Sequence, residues 1–158
     1  MLDADASTPS TPSASHRVAA IDIGTNSTHL LVAAVDAKLK TFSIVQAEKS
    51  TTRLGERDPE TGALSDAAME RGFETLRRFR DLAHSHQVEQ ILTAATSAVR
   101  EAPNGRDFLQ LIKDELGLDV DLISGPEEAR LIYLGVLSGM SFGDRPHLLL
   151  DIGGGSTN

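Results

Sequence analysis

The chain has 158 residues, enough for one full domain and the opening of a second but not for two domains of ordinary size. With 40 % hydrophobic and 24 % charged residues it has a globular composition, and its longest apolar runs, such as His147 to Ile152, are too short to span a bilayer. The formal net charge of −8 argues against nucleic acid as a partner, and zero cysteines exclude a disulfide framework, a thiolate metal site and a cysteine nucleophile, in keeping with a reducing cytoplasm.

Residues 1–16 form a Ser, Thr, Pro and Ala tract without aromatics or apolar periodicity, which predicts a disordered tail and not a secretory signal. A first domain is expected over 17–124. Val18 to Ile21 is an apolar run that ends in the turn-forming cluster Asp22 to Ser27. Thr28 to Val35 and Phe42 to Ala47 follow, separated by a polar break, so three strands joined as hairpins are predicted. Ser65 is placed to cap a helix whose Met69, Phe73, Leu76, Phe79 and Ala83 recur every three or four residues, the spacing of one buried face.

Ile91 to Ala95 reads as a buried strand. Asn104 stands where a cap is needed for a helix carrying Phe108, Leu111, Ile112 and Leu116, and Gly117 falls at its left-handed end. Val120 to Ile123 is a fifth strand. Ser124 and Glu127 have the spacing of a capping box for a third helix, and Leu148 to Leu150 then form a strand running into Asp151 to Asn158. Residues 125–158 are therefore expected to be a linking helix plus the opening strand and glycine loop of a truncated second domain. Periodicity alone supports an α/β fold. By analogy of element order, three antiparallel strands extended by α/β crossovers make a mixed five-stranded sheet of the ribonuclease-H-like, actin-like type.

Two segments share one design: a strand, an aspartate, Ile-Gly, then small hydroxyl or amide residues. In the first, Asp22 precedes Gly24, Thr25, Asn26 and Ser27; in the second, Asp151 precedes Gly153, Gly154, Gly155, Ser156 and Thr157. Glycine lets the backbone approach a phosphate and aim several N–H groups at it, and the hydroxyls add donors. The aspartates suit Mg²⁺ or an attacking water. A single such loop would equally be a strand-to-turn junction, but a pair suggests phosphate-binding hairpins facing one cleft.

In four separated segments, Ala20 to Leu31, Ala95 to Asn104, Ile123 to Gly135 and Leu150 to Thr157, the chain resembles the exopolyphosphatase and guanosine pentaphosphate phosphohydrolase (Ppx/GppA phosphatase) family. The resemblance implies an actin-like fold with an interdomain cleft and Mg²⁺-dependent removal of a terminal phosphate from polyphosphate or guanosine pentaphosphate. It further implies Glu128 as general base, Arg100 as phosphate ligand and Asp151 as metal and water ligand. Asp22, read from its place at the end of the first strand, is a second candidate metal ligand or else caps the turn that follows.

The residues read independently agree. Phosphoanhydride hydrolysis needs an oriented water, charge neutralisation and a base. Glu127 is explained as the partner of Ser124, which leaves Glu128 for the base, its bland alternative being an acid favoured by the helix dipole. Arg100 offers a bidentate fork to phosphate, or is an exposed strand-end residue. His29 reads as a packed or half-exposed histidine, and Arg53, Arg57 and Arg130 as polyanion contacts or surface charge. The family usually has glutamate where this chain has Asn158, which predicts weaker Mg²⁺ binding. A homodimer is compatible with the cleft and the open tail. Two other functions fit the glycine loops: an actin-like sugar or acetate kinase, and a non-catalytic phosphate or alarmone binding module.

Overall fold

The computed structural model describes residues 16–143 and 146–157. The elements follow as β1 (His16–Ile23), β2 (Thr28–Asp36), β3 (Thr41–Ser50), α1 (Asp66–Ser85), β4 (Gln90–Ala95), α2 (Ser97–Arg100), α3 (Gly105–Leu116), β5 (Val120–Leu122) and α4 (Gly125–Gly139). Almost all of the expected tail, and Asn158, lie outside the described residues; His16 already belongs to β1.

One five-stranded sheet has the order β3-β2-β1-β4-β5. β1, β2 and β3 pair antiparallel, while β4 and β5 join parallel to β1 and to each other. This is the predicted mixed five-stranded sheet, with the three antiparallel strands first in the chain. The parallel pairs need long crossovers, which the segments bearing α1 and α3 supply.

Side chains alternate across the pleat, so Ala19, Ile21 and Ile23 are buried while Ala20 and Asp22 are exposed. Their buried face meets Leu30 and Val32 of β2, Leu76, Phe79 and Ala83 of α1, and Phe108 and Ile112 of α3. Burying each large apolar side chain contributes about 1.5–3 kcal/mol, which holds both helices on this one face. The opposite face carries Asp22, directly paired with His29, which is in turn paired with Lys49. Cross-strand partners project from the same side of a sheet, so these three line up on the open face.

Several local expectations hold. Ser65 caps α1 by accepting from the Ala68 N–H, and Gly117 ends α3 at φ 67°. Others need correction. Asn104 makes no side-chain cap; its amide instead donates to the Leu64 carbonyl and its oxygen accepts from the Leu64 N–H. Only half of the capping box forms: Ser124 accepts from the Glu127 N–H, but the Glu127 carboxylate turns to Arg130. A charged guanidinium three residues along the helix outcompetes a backbone N–H as its partner. The strand expected over Leu148 to Leu150 is absent, because among the described residues no strand lies beside it to pair with. The short α2, within the Ala95 to Asn104 segment, was not predicted. Among the described residues no helix is long and apolar enough to cross a membrane.

Candidate active site

β1 carries Asp22 and Ile23 to the rim of the open face, and the chain then reverses into β2. The Gly24 N–H donates to the Ser27 carbonyl at 3.1 Å and Ile23 pairs with Thr28, making a tight hairpin. A Cβ at Gly24 would lie 2.9 Å from that carbonyl, so the turn requires glycine. The loop is braced from below by the Arg53 N–H on the Asn26 carbonyl (3.0 Å) and the Gly55 N–H on the Thr25 carbonyl (2.9 Å).

The second glycine segment has the same geometry. The Gly153 N–H donates to the Ser156 carbonyl at 2.9 Å and Ile152 bridges Thr157 antiparallel. The two hairpins touch. A Cβ on Gly154 would sit 3.3 Å from the Asn26 Cβ, and one on Gly155 only 2.6 Å from Thr25 Oγ1 and 2.9 Å from Ser97 Oγ. The triple glycine is thus a condition of close approach. Thr25 and Ser97 close the junction with a 3.0 Å hydroxyl hydrogen bond.

Among the described residues, the N–H groups of Thr25, Asn26, Gly154 and Gly155 have no backbone acceptor. Unpaired main-chain donors carry partial positive charge, and grouped on small residues they are what an anion needs. They border a cleft of about 470 Å³ whose walls also include Asp22, Glu128 and Asp151. Thus Gly24, Thr25, Asn26, Ser27, Gly153, Gly154, Gly155 and Ser156 all line one space, as the paired design predicts; Thr157 closes the second hairpin behind them.

Glu128 stands in the first turn of α4, whose start is fixed by the Ser124 cap. Its Oε2 is buried and has no hydrogen-bond partner, while the Arg100 guanidinium lies 3.6 Å away. Arg100 donates to the Ile123 carbonyl at 2.7 Å and does not line the cleft, so its charge acts on Glu128 from behind. Asp22 remains accessible, yet the cleft walls displace water around its carboxyl and raise its pKa; His29 pulls the other way, and the charges of Glu128 and Asp151 push further up.

The three arginines weighed as polyanion contacts are placed differently. Arg57 is committed to the Gly62 and Ala98 carbonyls and Arg130 to Glu127. Arg53 is exposed beside the first hairpin, 3.8 Å from Glu56. Sequence reasoning missed Lys49, Thr96 and Ser97, all of which line the cleft. The signal for Lys49 lies in the β2–β3 register, which no local pattern encodes.

Asp22, Glu128 and Asp151 supply only hard oxygen donors, the kind Mg²⁺ takes. Among the described residues no three such side chains converge into a closed cage.

Residues 31–158 match the Ppx/GppA phosphatase family. The fold is similar to that of an exopolyphosphatase from Cytophaga hutchinsonii, at 36 % identity and TM-score 0.83 over 90 % of this chain and 45 % of that one. It is also similar to the PPX-GPPA enzyme of Aquifex aeolicus, at 35 % identity and TM-score 0.77 over 90 % and 46 %. An exopolyphosphatase-like protein matches at 37 % identity and TM-score 0.81 over 91 % and 44 %. The chain therefore spans less than half the length of these relatives.

Proposed function

The chain belongs to the Ppx/GppA phosphatase family, and from that premise we propose that its cleft hydrolyses the terminal phosphoanhydride bond of polyphosphate or guanosine pentaphosphate. The observation that carries this reading is the pair of matching glycine hairpins, which line the same cleft as Glu128 and whose Thr25, Asn26, Gly154 and Gly155 N–H groups have no backbone acceptor among the described residues.

The terminal phosphoryl group would sit on the N–H groups of the two hairpins, which donate to its oxygens without needing to reorganise. Water attacks phosphorus in line with the bridging oxygen. As the new P–O bond forms, the anhydride P–O bond breaks and its electron pair leaves with the shortened phosphate chain. The water proton passes to the carboxylate of Glu128, which lines the cleft. Arg100 holds that carboxylate by charge and is itself fixed by the Ile123 carbonyl. Asp22 and Asp151 are the residues that would hold Mg²⁺, which when bound neutralises phosphoryl charge and orders water.

Phosphate release from each substrate, with and without Mg²⁺, tests the reading on this chain and its Glu128→Ala variant. Release that requires both Mg²⁺ and Glu128 supports hydrolysis. Tight binding of either substrate without Glu128-dependent release would overturn it in favour of a non-catalytic phosphate-binding module.

A further inference from the structure

We infer that Lys49 is the side chain that takes the charge of the terminal phosphoryl group in this cleft, its ammonium pairing with the phosphate oxygens opposite the glycine hairpins. The inference rests on the phosphate-cleft reading above and assigns a residue that the family-like segments do not contain.

The charge balance of the cleft demands such a group. Asp22, Glu128 and Asp151 all line it, so three carboxylates stand on its walls. A divalent cation held by Asp22 and Asp151 would offset only two of those three charges, so an entering phosphate needs a cationic side chain as well. Arg100 cannot fill the role from its present position, because it is committed to Ile123 and Glu128 and lies outside the cleft lining. Lys49 and His29 are the basic residues that do line it.

The sheet aims Lys49 correctly. Its Cα pairs with His29, and His29 pairs with Asp22, so Lys49 projects from the same face two strands away from the aspartate. Neighbouring strands are about 4.8 Å apart, which puts its backbone roughly 10 Å from that of Asp22. A flexible four-carbon stem brings an ammonium from there over the cleft, whereas a shorter side chain would stay at its rim. Among the described residues Lys49 makes no ion pair, so no carboxylate has to be displaced before it meets phosphate.

Calorimetric titration of tripolyphosphate in Mg²⁺ buffer into the chain, Lys49→Met, Lys49→Arg and Lys38→Met decides it. Lys38 lies at the opposite end of the same hairpin and controls for net charge. Losing a charged hydrogen-bond donor should weaken binding by roughly ten- to a hundredfold in Lys49→Met, with Lys49→Arg close to the parent and Lys38→Met unchanged. The gap between parent and Lys49→Met should narrow in high salt. Parent-like binding by Lys49→Met overturns the assignment and leaves the phosphate cleft standing. Failure of Lys49→Arg to recover affinity, with an unchanged circular dichroism spectrum, also overturns it. No binding by the parent chain overturns the phosphate-cleft reading and this one together.

Discussion

Arg100 faces Glu128 at 3.6 Å while donating to the Ile123 carbonyl at 2.7 Å, so one guanidinium joins the end of α2 to the start of α4. Both side chains are largely enclosed, with 27 % and 12 % of their surfaces exposed. Replacing Arg100 by Ala should strip the carbonyl of a charged donor and leave the Glu128 carboxylate uncompensated, a loss of about 1.5–3 kcal/mol. Lys in its place keeps the charge, but as a compact ammonium on a differently shaped stem in place of the planar guanidinium whose Nη1 meets both groups, so it should recover only part. Urea denaturation midpoints of the two variants measure this; equal stability of Arg100→Ala and the parent would show that the bridge contributes nothing.

Asp22 sets a pH dependence with a definite sign. Its folded pKa lies above the ordinary value of 3.8, chiefly because burial disfavours the charged form, with Glu128 and Asp151 adding to it against His29. The folded state therefore binds more protons than the unfolded one between those two values, and stability falls as pH rises through that window. Above the folded pKa the penalty is constant. Asp22→Asn should raise the melting temperature at pH 7, with no gain below pH 3.8, while reducing Mg²⁺-dependent phosphate release. Melting curves at the two pH values test the sign directly.

Two glycines separate the needs of the site from those of the fold. At Gly155 a Cβ would strike Thr25 Oγ1 at 2.6 Å and Ser97 Oγ at 2.9 Å, pushing the second hairpin off the first. Gly155→Ala should abolish phosphate binding yet leave the melting temperature nearly unchanged, since Gly155 lies outside the core. At Gly105 a Cβ would stand 2.0 Å from the Val99 carbonyl, a backbone group that cannot swing aside. Gly105→Ala should cost about 1–3 kcal/mol or more of stability by overpacking. Comparing binding and thermal unfolding of both variants checks the division.

The strands and main helices were legible because period-2 and period-3.6 patterns survive in residues such as Ile21, Ile23, Leu76 and Phe79, all of which are buried. The glycine loops were legible because one design occurs twice, each time after an apolar run, where a single copy would read as an ordinary turn. What escaped depends on partners far away in sequence. Lys49 belongs to the cleft only through its pairing with His29, and Arg100 meets Glu128 only after β5 has been laid beside β4. Leu148 to Leu150 has the composition of a strand, but composition cannot supply the neighbour that a strand needs.

Asn104 shows the same limit in one residue and yields a sharp prediction. Its position before α3 invited a capping role, yet its side chain satisfies Leu64 twice, accepting from the N–H at 2.8 Å and donating to the carbonyl at 3.0 Å. It thereby ties the segment before α1 to the start of α3, as a strand partner would. Asp and Ser are good caps but cannot both donate and accept in this geometry: a carboxylate only accepts, and a single hydroxyl cannot reach both groups. Asn104→Asp and Asn104→Ser should therefore each lose about 1–3 kcal/mol, the cost of leaving an enclosed backbone group unpaired. Chemical denaturation of the two variants is the measurement. If Asp and Ser both preserved stability, capping of α3 would be the role that matters, and the link to Leu64 would be incidental.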